Sequence, residues 1–98
     1  MRIENEVKQE LIWGDIRIRL FKSKKITEIP YNSVSNIIAI DSSGKVIWKA
    51  EAPRTHYEEY FDMEIDKEKK VLIANTGTGY RYFLNLENGR VLDFRLIK

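Results

Sequence analysis

Val7-Lys8-Gln9-Glu10-Leu11-Ile12-Trp13-Gly14-Asp15-Ile16-Arg17-Ile18-Arg19-Leu20-Phe21 is the stretch that decides the fold class. Extended chain places alternate side chains on opposite faces, so Val7, Gln9, Leu11 and Trp13 share one side and Lys8, Glu10 and Ile12 the other. Gly14-Asp15 supplies a two-residue turn, in which the glycine can take positive φ. Beyond it Ile16, Ile18 and Leu20 alternate with Arg17, Arg19 and Phe21, giving an apolar face and an arginine face. A period of two on both flanks of a tight turn reads as a β-hairpin with a Trp-Gly-Asp corner at its tip.

The same period recurs outward from this hairpin, and a helical period does not. Lys22 to Ser35 is a connection punctuated by Pro30, with room for an edge strand around Lys25 to Ile29. Ile37-Ile38-Ala39-Ile40 is continuous and apolar, as a strand buried on both faces should be. Asp41 to Gly44 turns the chain and Val46 to Ala50 returns it. Glu51 to Tyr60 is the longest irregular stretch, with space for a short helical turn. Phe61, Met63 and Ile65 then alternate with Asp62, Glu64 and Asp66, and Lys67 to Lys70 is a charged turn. Val71 to Ala74 is a second buried run, Tyr80 to Leu86 a further strand, and Glu87-Asn88-Gly89 a turn. Val91 to Ile97 follows it, with Leu92, Phe94 and Leu96 on one face. The expected class is all-β: about eight antiparallel strands in hairpins, arranged either as a two-sheet sandwich or as a blade-like curled sheet. One domain is expected over residues 1–98, with an N-terminal hairpin and connection in 1–35 and two blade-like units in 36–98.

Composition narrows the function classes. The chain of 98 residues is 43% hydrophobic and 33% charged, ordinary for a globular domain. Its 17 basic and 15 acidic residues are interspersed and give a net charge of only +2, without the basic stripe of a nucleic-acid binder. Cysteine is absent, which removes disulfides and thiolate metal sites. Met1 to Glu6 is too acidic and too poor in apolar residues for a signal peptide. The longest apolar runs, Ile37–Ile40 and Val71–Ala74, fall far short of the roughly 20 residues that a membrane helix needs. A cytoplasmic protein with no membrane association is the expectation, and the many Ile, Lys and Asn residues hint at a bacterial source.

No catalytic constellation emerges. His56 is the only histidine, and Thr55, Glu58 and Glu59 beside it in a loop do not make a triad or a metal site. Asp62, Glu64 and Asp66 read as a solvated acidic face opposite Arg17 and Arg19 or Lys70. Thr76-Gly77-Thr78-Gly79 lacks the Lys-Ser/Thr ending and the following helix of a phosphate loop, so it is a hairpin turn. The chain is therefore expected to be no enzyme and to need no cofactor or metal. Trp, Tyr and Arg are the side chains that anchor protein interfaces. Trp13 at the hairpin tip, with Arg54, His56, Tyr57 and Tyr60 in the long loop, form the candidate partner-binding set.

One unit recurs. Ile38-Ala39-Ile40-Asp41-Ser42-Ser43-Gly44-Lys45-Val46-Ile47-Trp48 parallels Phe83-Leu84-Asn85-Leu86-Glu87-Asn88-Gly89-Arg90-Val91-Leu92-Asp93, strand, glycine turn and strand. Asp41 and Asn85 can brace these turns through side-chain hydrogen bonds. The first of the pair resembles the repeats of PQQ-type β-propellers, in which a strand ending in Asp leads to Gly-Lys and an apolar strand carrying Trp. That resemblance, from Ile37 to the C-terminus, implies that Phe61–Asp66, Val71–Asn75, Tyr80–Asn85 and Arg90–Ile97 are four strands of one blade. It departs from the family where Asp93 answers Trp48, and two blades are too few to close a propeller. The general look resembles small bacterial immunity proteins. The functional expectation is a non-catalytic protein-binding module, with a bacterial immunity protein inhibiting a toxin as its specific form. A small ligand- or nucleic-acid-binding domain is the alternative.

Overall fold

The strand-like segments are eight strands in the computed structural model, which describes residues 6–22, 35–54 and 58–97. They are β1 (Val7–Trp13), β2 (Ile16–Phe21), β3 (Ile37–Ile40), β4 (Val46–Lys49), β5 (Tyr60–Asp66), β6 (Val71–Thr76), β7 (Tyr80–Asn85) and β8 (Val91–Leu96). Each pairs antiparallel with its neighbour in the chain, giving two open four-stranded meanders, β1-β2-β3-β4 and β5-β6-β7-β8. The two-sheet alternative is therefore the observed one. The second sheet has the strand order that the propeller resemblance implies. The division expected between residues 35 and 36 falls inside the first sheet, because β2 and β3 on either side of it are hydrogen-bonded neighbours. The edge strand expected around Lys25–Ile29 lies outside the described residues, as do residues 55–57 of the loop expected to hold a helical turn.

The two sheets share one core. Ile18, Leu20, Ile37, Ala39 and Trp48 come from the first sheet, and Tyr60, Met63, Leu72, Ala74, Tyr82 and Leu84 from the second. Tyr60 and Tyr82 meet edge to face at 5.6 Å, and Phe94 stacks on Tyr82 at 4.9 Å. The alternation in β1 and β2 holds from Gln9 onward, with Leu11, Trp13, Ile16, Ile18 and Leu20 toward the core. A register shift between Val7 and Gln9 pairs Val7 with Phe21 and leaves it exposed, off the face it was expected to share.

Bulges also overturn the parity expected of β5 and β8. Phe61 was grouped with Met63 and Ile65, but a register shift between Tyr60 and Asp62 expels its ring, which is 54% exposed. Tyr60 takes the inward place instead. In β8 the pairing jumps from Leu84↔Val91 to Phe83↔Asp93, so Leu92 is extruded and does not share the inward face of Phe94. Leu96 pairs beyond Phe94 with Tyr80, past the edge of the core, and is exposed. The acidic residues of β5 also do not meet the arginine face. Asp62 accepts a hydrogen bond from Asn75, Asp66 caps its own turn at the Glu68 and Lys69 N–H groups, and Arg19 pairs with Glu10 at 2.7 Å.

The internal repeat is real in its turns. Gly44 and Gly89 both have positive φ, 89° and 76°. Asp41 N–H donates to the Lys45 carbonyl and Asn85 N–H to the Arg90 carbonyl, so Asp41 and Asn85 occupy the same place. Asp41 Oδ1 accepts from the Ser43 and Lys45 N–H groups, and Asn85 Oδ1 from Glu87 N–H. The second loop carries one more residue, Leu86, so the first strands align one position away from the pairing read in the sequence. With that insertion the registers agree: Ile40↔Val46 matches Leu84↔Val91, and Ala39↔Trp48 matches Phe83↔Asp93. The bulge residues, Ile47 and Leu92, coincide as well. Ala39 and Trp48 are buried whereas Asp93 is exposed, so the two hairpins turn opposite faces to the shared core. That inversion accounts for a tryptophan in one unit and an aspartate in the other.

Candidate functional site

Four hairpin features converge at one end of the molecule. Trp13 stands at the tip of the β1–β2 hairpin, where Gly14 has φ 61° and turns the chain back. Facing it are Lys69 and Lys70 of the β5–β6 turn, Val71 at the start of β6, Asn85 at the end of β7, Leu86 and Glu87 of the β7–β8 turn, and Leu92 of the β8 bulge. Together they line a surface cleft of about 310 Å³.

Local chemistry fixes each wall. Trp13 is half-buried, its ring packed against the core on one side and facing the cleft on the other. Asp66 Oδ1 accepts from the N–H groups of Glu68 (3.1 Å) and Lys69 (3.0 Å), and this closes the β5–β6 turn. Lys70 completes the turn with φ 58°, a left-handed conformation that glycine ordinarily fills. Leu86 is buried, and its carbonyl accepts the Trp48 indole N–H at 3.0 Å, which ties the β7–β8 turn to the first sheet. Gly89 lies flat against the Trp48 ring, with no room for a side chain. Lys69 and Lys70 are exposed and form no ion pair among the described residues. The cleft therefore combines a tryptophan face, two leucine-type walls, two lysines without an ion pair among the described residues, and the Glu87 carboxylate.

The candidates read from the sequence are separated by the fold. Trp13 lines the cleft. Arg54 does not: its guanidinium grips one carboxylate oxygen of Glu51 through Nε (3.2 Å) and Nη2 (3.0 Å) and lies 5.8 Å from the Phe94 ring. Its backbone N–H donates to the Tyr82 hydroxyl. Tyr60, 1% exposed, is a core residue whose hydroxyl donates to the Glu51 carbonyl, so it has no surface to offer a partner. Burial, with Tyr82 and Glu51 nearby, holds its phenol far above the ordinary tyrosine pKa, and it stays a neutral donor. His56 and Tyr57 lie outside the described residues. Lys69, Lys70, Leu86 and Leu92 were not singled out in the sequence. The lysines read there as a plain charged turn, and nothing local signals that they face Trp13 from another sheet.

Glu51 organises the other flank. One carboxylate oxygen accepts the Val91 N–H at 2.9 Å and the other is held by Arg54, while its own N–H donates to the Gly89 carbonyl. The Val91 hydrogen bond lowers its pKa most, burial opposes it, and the Arg54 hydrogen bond and charge lower it further. These bonds make the segment after β4 a strap across the β7–β8 turn. Among the described residues no group of three or more His, Asp or Glu side chains is placed to hold a metal ion.

Fold and cleft together define a small all-β domain of two open meanders with a tryptophan-walled surface cleft. The chain belongs to the family described as Domain of unknown function (DUF7957), whose model matches residues 1–96. No curated protein matches the chain. The family match carries neither the propeller resemblance nor the immunity-protein resemblance.

Proposed function

We propose that this chain is a non-catalytic protein-binding module and that the Trp13 cleft is its docking site. The observation that carries the reading is Trp13 itself: an aromatic wall, open on one side, beside two lysines with no ion pair among the described residues. Tryptophan is among the strongest interface anchors, and half-burial already limits the entropy that its ring would lose on binding. The lysines favour a partner segment that presents a carboxylate next to an apolar side chain. An inhibitor dedicated to one partner, as an immunity protein is to its toxin, is the specific form of this reading. The alternative of nucleic-acid binding finds less support, because Arg19 is neutralised by Glu10 and Arg54 by Glu51.

The test is affinity capture from a bacterial extract on the immobilised chain, with Lys69→Glu/Lys70→Glu as the control surface. Both lysines are exposed, so the variant should melt within a few degrees of the parent. The reading expects a protein that the parent retains, that salt weakens, and that the variant releases. Recovery of nucleic acid, or equal retention by both surfaces, contradicts it.

A further inference from the structure

The second sheet ends on β8, which pairs with β7 on one side only. Ile97 N–H donates to the Gly79 carbonyl, so with the two-residue period the Arg95 and Asp93 backbone groups also face β7. Those of Phe94 and Leu96 consequently face away from the sheet. Phe94 N–H meets only a local acceptor, the carboxylate of its own neighbour Asp93 at 2.9 Å. Val91 N–H, at the start of the strand, is taken by Glu51, so the open stretch runs from Leu92 to Leu96. Along it Leu92 and Leu96 are 56% and 57% exposed. An open edge with exposed leucines is a template for another strand.

We propose that β8 pairs antiparallel with β8 of a second copy of this chain, about a two-fold axis through Phe94. The stretch Leu92-Asp93-Phe94-Arg95-Leu96 is self-complementary in that register. Phe94 meets its own symmetry mate, Asp93 lies opposite the second copy's Arg95, and Leu92 lies opposite the second copy's Leu96. A two-fold contact of this kind uses the same patch twice, so each complementary pair occurs twice. The outward-facing backbone of Phe94 makes that central pair the hydrogen-bonded one, with Phe94 N–H passing from the Asp93 carboxylate to the second copy's Phe94 carbonyl. The flanking Asp93–Arg95 pairs then occupy the non-hydrogen-bonded positions, where side chains stand closest. Shifting the register by two residues in either direction sets Arg95 against Arg95 or Asp93 against Asp93, and like charges directly opposite are unfavourable. The charge pattern thus selects both the occupant and the register, and the product is a continuous eight-stranded sheet.

Sedimentation equilibrium or light scattering over a concentration series tests this directly, with thermal melting confirming that every variant folds. The parent should move from 11.6 kDa toward twice that mass as concentration rises. Asp93→Arg and Arg95→Asp, each alone, place like charges across the pair and should raise the dimer dissociation constant at least about tenfold. The double exchange Asp93→Arg/Arg95→Asp restores complementarity and should restore the dimer. Neither residue lines the Trp13 cleft, although Leu92 belongs to both surfaces, and the dimer is measured on the chain alone, without a partner protein. A parent that stays monomeric at millimolar concentration overturns the proposal. So does an assembly larger than a dimer, a dimer indifferent to both single exchanges, or a double exchange that fails to rescue.

Discussion

Gly44 and Gly89 hold corresponding turns, yet their surroundings make them unequal. A Cβ at Gly44 would meet nothing within 4 Å, whereas at Gly89 it would fall 2.5 Å from the Trp48 ring. Gly44→Ala therefore carries only the left-handed backbone penalty, about 1 kcal/mol, and Gly89→Ala adds overpacking, for roughly 2–4 kcal/mol in total. Urea unfolding of the two variants side by side checks this, and equal losses would contradict the contact with Trp48. The need for glycine at both turns was legible from Ser43-Gly44-Lys45 and Asn88-Gly89-Arg90. The Trp48 contact was not, because it joins the two sheets. Glu51 gives a second outcome at this scale. Its folded-state pKa lies below the unfolded one, so its contribution to stability is present above the ordinary glutamate range and is lost as pH falls through the lowered value. Glu51→Gln should thus be less stable than the parent at pH 7, and the gap should narrow as pH falls below the ordinary glutamate range, as read by melting temperatures across a pH series.

At the scale of elements, the free edge of β5 is guarded by two carboxamides from the other half of the chain. Gln9 of β1 accepts from Met63 N–H at 2.8 Å and donates to its carbonyl at 3.0 Å. Asn36, just before β3, does the same for Tyr60 at 2.9 and 2.8 Å, and also donates to the Phe21 carbonyl. Each amide supplies the donor and acceptor that a fifth strand would have supplied, which protects an edge otherwise open to pairing. Asn36 is the more deeply buried bracket, so Asn36→Ala strands several polar groups and should cost about 3 kcal/mol in chemical denaturation. A loss below about 1 kcal/mol would mean that water replaces the amide freely. The sequence placed Gln9 on the inward face of β1 by parity alone, and that placement stands. What it could not display was the reason for a polar residue there, because the β5 backbone it serves is 54 residues away. Bulges limited the reading in the same way. An extra residue breaks the alternation at the bulge itself, so two-residue spacing places Phe61 with Met63 and Leu92 with Phe94 on the inward face, whereas Phe61 and Leu92 face solvent.

Across the whole molecule, eight strands and their turns were legible because each hairpin is local: alternation and a turn residue specify it within a dozen positions. The partition into two sheets was legible only as one of two alternatives, since it depends on which of two buried hairpins faces the other, and the repeated units bury opposite faces. The proposed docking surface illustrates the same limit. Residue type pointed to Arg54, His56, Tyr57 and Tyr60 with Trp13, but the fold commits Tyr60 to the core and Arg54 to Glu51. It also carries two turn lysines and an extruded leucine to Trp13. The two surfaces make different demands on a captured partner protein, and its dissociation constant, measured by calorimetry against two variants of matched melting temperature, separates them. For Lys69→Glu/Lys70→Glu the cleft reading predicts a rise of about thirtyfold, near 2 kcal/mol, with Arg54→Ala staying within about threefold of the parent. An unchanged constant for the lysine variant together with a large rise for Arg54→Ala would contradict it and return the site to the loop after β4.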